Sequence, residues 1–267
     1  MTSRITLGMR HKYIGDVGDF GKYGLLRLLH KSAPRKRLGV LWYLTDEPEQ
    51  TNDGGHDGYL FRGSSGYRNS FLQCDPELYR KMLRIRESGV LNLSQIQNGD
   101  ILPSSTTFFD EPVPSGRSGD HNLGRGAWEC RHQWHANAIR SLRASDYIFA
   151  DPDNGVILPG SAKSNDAKPS HKHAYWCEIS DFLIGGKAVV SYHHLGRQHG
   201  GHVKIIKETI ARISDLGYRC LAVHYRRGSA RAFLLIPSST AQLNWFANTC
   251  RSFVATWSEH CSVIESK

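Results

Sequence analysis

Short apolar runs alternate with segments of helical periodicity along most of this chain, and that alternation restricts it to an α/β fold. The runs lie at residues 38–44, 106–109, 147–150, 187–192, 219–225 and 231–236. Between them apolar side chains recur at helical spacing: Phe20, Tyr23, Leu26 and Leu29 within 19–31, and Trp128, Trp134, Ile139 and Leu142 within 127–143. Residues 76–87, 172–184, 202–216 and 240–257 read as further helices, the first with Arg80, Lys81, Arg84 and Arg86 on its exposed side. A helix between successive strands makes them parallel neighbours, whereas the short segment 226–230 between the last two strands reads as a hairpin. The expected fold is Rossmann-like α/β: a mostly parallel sheet with a terminal antiparallel hairpin. It is read as one domain over 1–267, interrupted by long loops at 45–58, 110–126 and 159–170.

Composition excludes some alternatives. Six Trp, 11 Tyr and 10 Phe supply core-forming surface that a disordered chain lacks. No apolar run approaches the roughly 20 residues a bilayer span needs. The first ten residues lack the apolar stretch of a secretory signal, and the six cysteines form no Cys-x-x-Cys pair. Reduced thiols and a cytoplasmic location are therefore expected. With 34 Lys+Arg against 25 Asp+Glu, the formal charge of +9 suits a polyanionic partner such as DNA.

Ligands of parallel α/β sheets bind beyond the carboxyl ends of the strands. This rule gathers the loops at 45–58, 110–126, 151–155 and 193–202 into one cleft. Asp151-Pro152-Asp153-Asn154-Gly155 places two carboxylates and an amide on a stiff turn. Asp151 and Asp153 are candidate catalytic groups, and Asn154 has the donors and acceptor to read a base edge. A plain Asx turn is the other reading. Asp16 and Asp19 precede a helix among Gly15, Gly18 and Gly21. Asp19 as the helix cap would explain one carboxylate but neither the second nor the glycines, so both are candidate catalytic residues. Lys12 and Lys22 are placed to meet phosphates.

His193, His194 and Arg197 follow a strand into the same cleft and suit base or phosphate contact. Together with His199 and His202 the histidines match no common zinc spacing, and no metal is expected. Arg226, Arg227 and Arg231 read either as a patch contacting the nucleic-acid backbone or as a soluble hairpin. Trp42 and Tyr43 either stack on a base, Tyr43 being the candidate, or belong to the core.

The segment Arg10-His11-Lys12-Tyr13-Ile14-Gly15-Asp16-Val17-Gly18-Asp19-Phe20-Gly21-Lys22 resembles the start of the bacterial class I methyltransferases that modify adenine N6 in large-subunit ribosomal RNA. Those carry Gly-Asn-x-x-Asp-x-x-Lys; here Gly15, Asp19 and Lys22 are kept and Asp16 replaces Asn. Asp151-Pro152-Asp153-Asn154 stands where that family has Asp/Asn-Pro-Pro-Tyr/Phe, and the closing pattern over 187–236 is similar. The resemblance implies a methyltransferase-like fold with a pocket for a flipped base. It breaks after the first strand, where a glycine-rich turn for S-adenosylmethionine is replaced by a loop carrying Asp46, Glu47 and Glu49. Residues Gly15 to Tyr23 also resemble bacterial antiviral DNA glycosylases that remove modified bases from phage DNA.

The function expected on these grounds is excision of a flipped, modified base from DNA without a cofactor. The alternatives are S-adenosylmethionine-dependent adenine-N6 methylation of nucleic acid and a non-catalytic nucleic-acid-binding module. A metal-dependent nuclease using Asp16, Asp19 and Asp151 is the weakest.

Overall fold

The computed structural model describes residues 13–45, 55–114, 123–166, 169–196 and 200–265. The first half of the chain forms α1 (Val17–Ser32), β1 (Leu38–Trp42), α2 (Gly58–Phe61), α3 (Ser65–Leu72), α4 (Pro76–Glu87), α5 (Ser94–Asn98), β2 (Thr107–Phe109) and α6 (Leu123–Ser141). There follow β3 (Tyr147–Asp151), β4 (Gly155–Ile157), β5 (His173–Tyr175), α7 (Trp176–Ile184) and β6 (Ala188–His194). The chain closes with α8 (Gly201–Asp215), β7 (Leu221–Tyr225), β8 (Arg231–Ile236), α9 (Thr240–Thr256) and β9 (Cys261–Glu265).

The central sheet has seven strands in the order β2-β1-β3-β6-β8-β7-β9. The block β2-β1-β3-β6 is parallel, and β8 inserts antiparallel between β6 and β7. This is the expected mixed α/β sheet, with the hairpin β7–β8 where the short connection placed it. Side chains alternate across the sheet as the period of two requires. Val40 and Trp42 face a layer built from α1 to α5 and α9, while Leu41 and Tyr43 face α6, α7 and α8. Among the described residues no helix is long and apolar enough to cross a membrane.

Several features differ from the sequence reading. The edge strand β9 pairs antiparallel with β7 beyond the last expected helix, with Val263 opposite Val223; a five-residue run with one half-buried face carries little periodic signal. The turn at 151–155 leads into a separate two-stranded parallel sheet, β4–β5, instead of a loop followed by one helix. Helix α6 begins at Leu123, inside the expected loop 110–126. Arg86 points inward from α4 and pairs with Asp57 at 2.9 Å, unlike the exposed Arg80 and Arg84.

Helix α1 begins two residues before the expected start. Its N-cap is Asp16, whose Oδ1 accepts from the backbone N–H of Gly18 at 2.8 Å and of Asp19 at 2.9 Å. Asp19, the expected cap, is instead inside the first turn. Glycines let this helix press against the hairpin and α9: a Cβ on Gly21 would lie 2.6 Å from the Tyr225 ring, and one on Gly24 would strike Trp257. Tyr225 also donates its hydroxyl to the Val17 carbonyl at 2.9 Å. The approach fixes α1 against the sheet edge that carries the cleft.

A methyl at Gly21 has a rigid buried ring in its way, so Gly21→Ala should lower stability by about 1–3 kcal/mol. Gly66→Ala, on exposed α3 with open space around it, should be neutral or stabilising. Urea unfolding midpoints of the two variants check this.

Candidate functional site

The carboxyl ends of β1, β3 and β6 and the start of β8 lie on one edge of the sheet, because β8 runs antiparallel to its neighbours. The first turn of α1 packs under this edge. Together they enclose a cavity of about 300 Å³. Asp16, Asp19 and Lys22 from α1, Trp42, Tyr43 and Leu44 from β1 and its end, and Asp151 to Asn154 after β3 all line it. Tyr192 and His194 of β6, Arg231 of β8, and Tyr13, His56, Lys172 and Ser229 complete the wall.

Lys22 is the centre of the site. Its Nζ lies 2.8 Å from Asp151 Oδ2 and 2.8 Å from Asp19 Oδ1, with all three side chains nearly enclosed. Burial opposes a charged lysine, but Asp151 and Asp19 outweigh it and hold the pKa well above the ordinary value. Nζ also sits 5.3 Å from the centre of the Trp42 ring, so an aromatic face shares the charge. Burial raises the Asp151 pKa, against the pull of Lys22. Burial and then the neighbouring Asp19 raise that of Asp16. Asp19 Oδ2 accepts from the Gly15 N–H at 3.0 Å. The glycines of this segment thus let backbone and buried side chains approach one another; Gly18 lies directly beneath the Arg231 guanidinium.

The remaining sequence candidates divide. Asp153 and Asn154 line the exposed rim, and the Asn154 N–H is bonded to the Lys172 carbonyl at 2.9 Å. His193 and His194 are strand residues, not loop residues, so they point to opposite faces. His194 faces the cavity. His193 accepts the Val156 N–H on Nδ1 at 3.2 Å and braces β4 from beneath Gly155. Burial pushes its pKa down to about 4. Tyr43 contributes to the wall, but its hydroxyl donates to Glu178 at 3.0 Å and its ring packs on Trp134.

Arg226 and Arg227 are bound to the turn before β9: Arg226 to the Ser258 carbonyl, Arg227 to His260 Nδ1 and the Glu259 carbonyl. Of that basic trio only Arg231 lines the cavity. Lys12 and Arg197, and the acidic loop with Asp46, Glu47 and Glu49, lie outside the described residues. No group of three or more His, Cys, Asp or Glu side chains among the described residues is arranged to hold a metal ion. The position between Asp19 and Asp151 that a cation would take is held by Lys22.

Sequence reasoning missed Tyr13, His56, Lys172 and Tyr192, which reach the cavity from separate elements. It also missed Arg131. This arginine is buried and binds Glu178 through Nε and a terminal nitrogen, at 2.5 and 2.9 Å. It also donates to the Ser170 and His173 carbonyls at 3.2 and 2.8 Å. Glu178 accepts the Tyr175 N–H at 3.0 Å as well. One ion pair thereby ties α6, α7 and β5 to the end of β1. A charged residue within a helical run was the available signal.

No family model and no curated protein matches the sequence. Among solved structures the chain is similar to the crystal structure of protein LPL1258 from Legionella pneumophila, described by the family model DUF519. The TM-score is 0.40 at 12% identity, covering 95% of this chain and 96% of that one.

Two predictions follow from these contacts. Arg131→Met strands the Glu178 carboxylate and should cost about 3–5 kcal/mol in urea unfolding. His193 takes a proton near pH 6.5 when unfolded and only near 4 when folded. Its contribution is therefore full above about pH 6.5 and is lost as pH falls from there toward 4. The raised pKa values of Asp16 and Asp151 act with opposite sign, so the comparison is with His193→Asn. The stability gap between wild type and that variant should narrow as pH drops from about 7 to about 5.

Proposed function

We propose that this protein is an N-glycosyl hydrolase that excises a flipped base from DNA, a modified base of phage DNA being the intended target, and leaves an abasic site. One observation supports this reading above the others: a carboxylate, Asp151, is fixed by a buried lysine at the wall of a cavity at the lower end of the ordinary ligand-pocket range. Enzymes that act on a base within a duplex first turn it into a pocket of this kind. The aromatic groups Tyr13, Trp42 and Tyr192 give that pocket apolar walls, and the Asn154 amide at the rim offers donors and an acceptor to a base edge.

In this reading the bond between sugar C1′ and the base nitrogen breaks, and its electron pair leaves with the base. The positive charge that develops at C1′ faces the Asp151 carboxylate, the arrangement used at oxocarbenium-like transition states. Water adds to C1′ and gives its proton to Asp151. Lys22 keeps Asp151 in a fixed orientation and opposes the effect of burial on its protonation. The surplus of positive charge outside the pocket brings the polyanion to it.

A second reading, S-adenosylmethionine-dependent adenine-N6 methylation, draws on the position of the cavity between the carboxyl ends of adjacent β1 and β3. It is the weaker reading because the resemblance to the methyltransferases breaks after the first strand, where Asp46, Glu47 and Glu49 stand in place of a glycine-rich turn.

The deciding experiment incubates the protein with unmodified and base-modified phage DNA, without cofactor and with EDTA. Alkali-labile sites and a released base, identified by mass spectrometry, are expected. Methyl transfer from labelled S-adenosylmethionine would replace the first reading with the second, and binding without product would leave a non-catalytic module. Asp151→Asn should lower base release by at least about a hundredfold. Its fold should persist, because Asp19 still partners Lys22.

A further inference from the structure

Arg231 is a buried guanidinium with no ion-pair partner among the described residues. It is 8% exposed and begins β8, opposite His194 on one neighbouring strand and Tyr225 on the other. Among the described residues its hydrogen bonds go to Ser229 alone: Nε donates to the carbonyl at 3.0 Å, and one terminal nitrogen to the hydroxyl at 3.1 Å. The other terminal nitrogen, Nη1, sits over Gly18 at the cavity wall. Arginine cannot shed its proton in a protein, so this charge persists in every state of the site.

Asp16 and Asp19 face this charge, but no carboxylate among the described residues hydrogen-bonds it. Asp19 and Asp151 hold Lys22, and Asp16 caps α1 through Oδ1. The Tyr192 ring, 5.7 Å from the guanidinium carbon, shields one side without neutralising the charge. A guanidinium fixed at Nε and one terminal nitrogen by Ser229, with Nη1 unbonded among the described residues, suits an oxyanion taken by a charge-assisted hydrogen bond.

We propose that Arg231 is an oxyanion subsite inside the cavity and binds the phosphate of the nucleotide whose base enters the pocket. The cavity then recognises a nucleotide, not a free base or nucleoside. This rests on the reading of the cavity as a base pocket, and it gives Arg231 a different task from the exposed cations, which meet the nucleic-acid backbone outside. The Gly18 position belongs to the same subsite, since any side chain there would displace the guanidinium.

The test measures binding to the full chain of three probes: inorganic phosphate, deoxynucleosides, and the corresponding 3′- and 5′-monophosphates. Calorimetry is run on wild type, Arg231→Gln and Arg231→Lys, with circular dichroism and urea midpoints to confirm folding. One monophosphate is expected to bind wild type at least tenfold more tightly than its nucleoside. Arg231→Gln should abolish that difference, and Arg231→Lys should keep part of it. If Arg231→Gln does not fold, the Arg231→Lys result decides: an undiminished phosphate preference there removes the need for a guanidinium fork and overturns the proposal. Nucleoside and monophosphate binding wild type equally overturns the subsite while leaving the base pocket intact. Inorganic phosphate binding wild type but not Arg231→Gln, with no nucleoside or nucleotide preference, upholds the oxyanion site and overturns both its assignment to a nucleotide and the base-pocket reading. Absence of binding by all three probes overturns both.

Discussion

A lysine that must stay charged in a buried place organises this molecule. Lys22 lies where α1 meets β3, and its two carboxylate partners come from those two elements. Removing one partner of a buried pair commonly costs 3–5 kcal/mol, because the surviving charge has lost its compensation. Sharing Lys22 between Asp19 and Asp151 softens that cost for either carboxylate, but not for the lysine itself. The pairing also sets geometry. With Oδ2 taken by Lys22, the Asp151 carboxylate has one orientation, and α1 cannot slide along the sheet without breaking it. Gly21 and Gly24 allow the helix to approach closely enough for the bond to form.

The opposite layer repeats the device. Arg131 and Glu178 are buried together between α6 and α7, and Glu178 also holds the Tyr43 hydroxyl and the Tyr175 N–H. Tyr43 belongs to the cavity wall, and Tyr175 ends the small sheet whose β4 partner follows directly from the Asp151 turn. Each layer of helices is therefore fastened to the cleft edge by a buried ion pair, while apolar contacts fill the space between. Such pairs add little net stability over apolar packing. What they supply here is position: a side chain that must be satisfied has few places to be.

The main strands were legible in the sequence because they are buried on both faces and appear as uninterrupted apolar runs, as in Tyr147 to Ala150. Strand β9 was not, since Ser262 and Val263 are only half buried and the run is short. The pair β4–β5 was hidden by polar residues at its ends and by hydrogen bonding that depends on His193, a residue far along the chain. At the site, Asp16, Asp19, Lys22 and Asp151 could be found because they sit at the start of a helix and the end of a strand, where local pattern has meaning. Asp19 and Lys22 meet at i,i+3 spacing on one helix, but the contact of Lys22 with Asp151 spans 129 residues and no spacing rule encodes it. The histidine pair shows the limit most clearly. Adjacent residues in a loop could share a cleft; adjacent residues in a strand cannot share a face, and only the extension of β6 to His194 separates them.

The charges around the cavity divide binding into two tasks. Asp19 and Asp151 share the single charge of Lys22, and Asp16 serves the helix start, so carboxyl groups outnumber cations at the centre of the pocket. In the proposed reading a ligand there is selected by shape, by aromatic walls and by hydrogen bonds, which discriminate between bases far better than charge does. In that reading, long-range attraction of a polyanion is left to the surplus of basic residues over the whole chain, which is blind to sequence. Arg231 adds a second cation at the wall of the pocket and not on the outer surface, and its charge faces Asp16 and Asp19 across the first turn of α1.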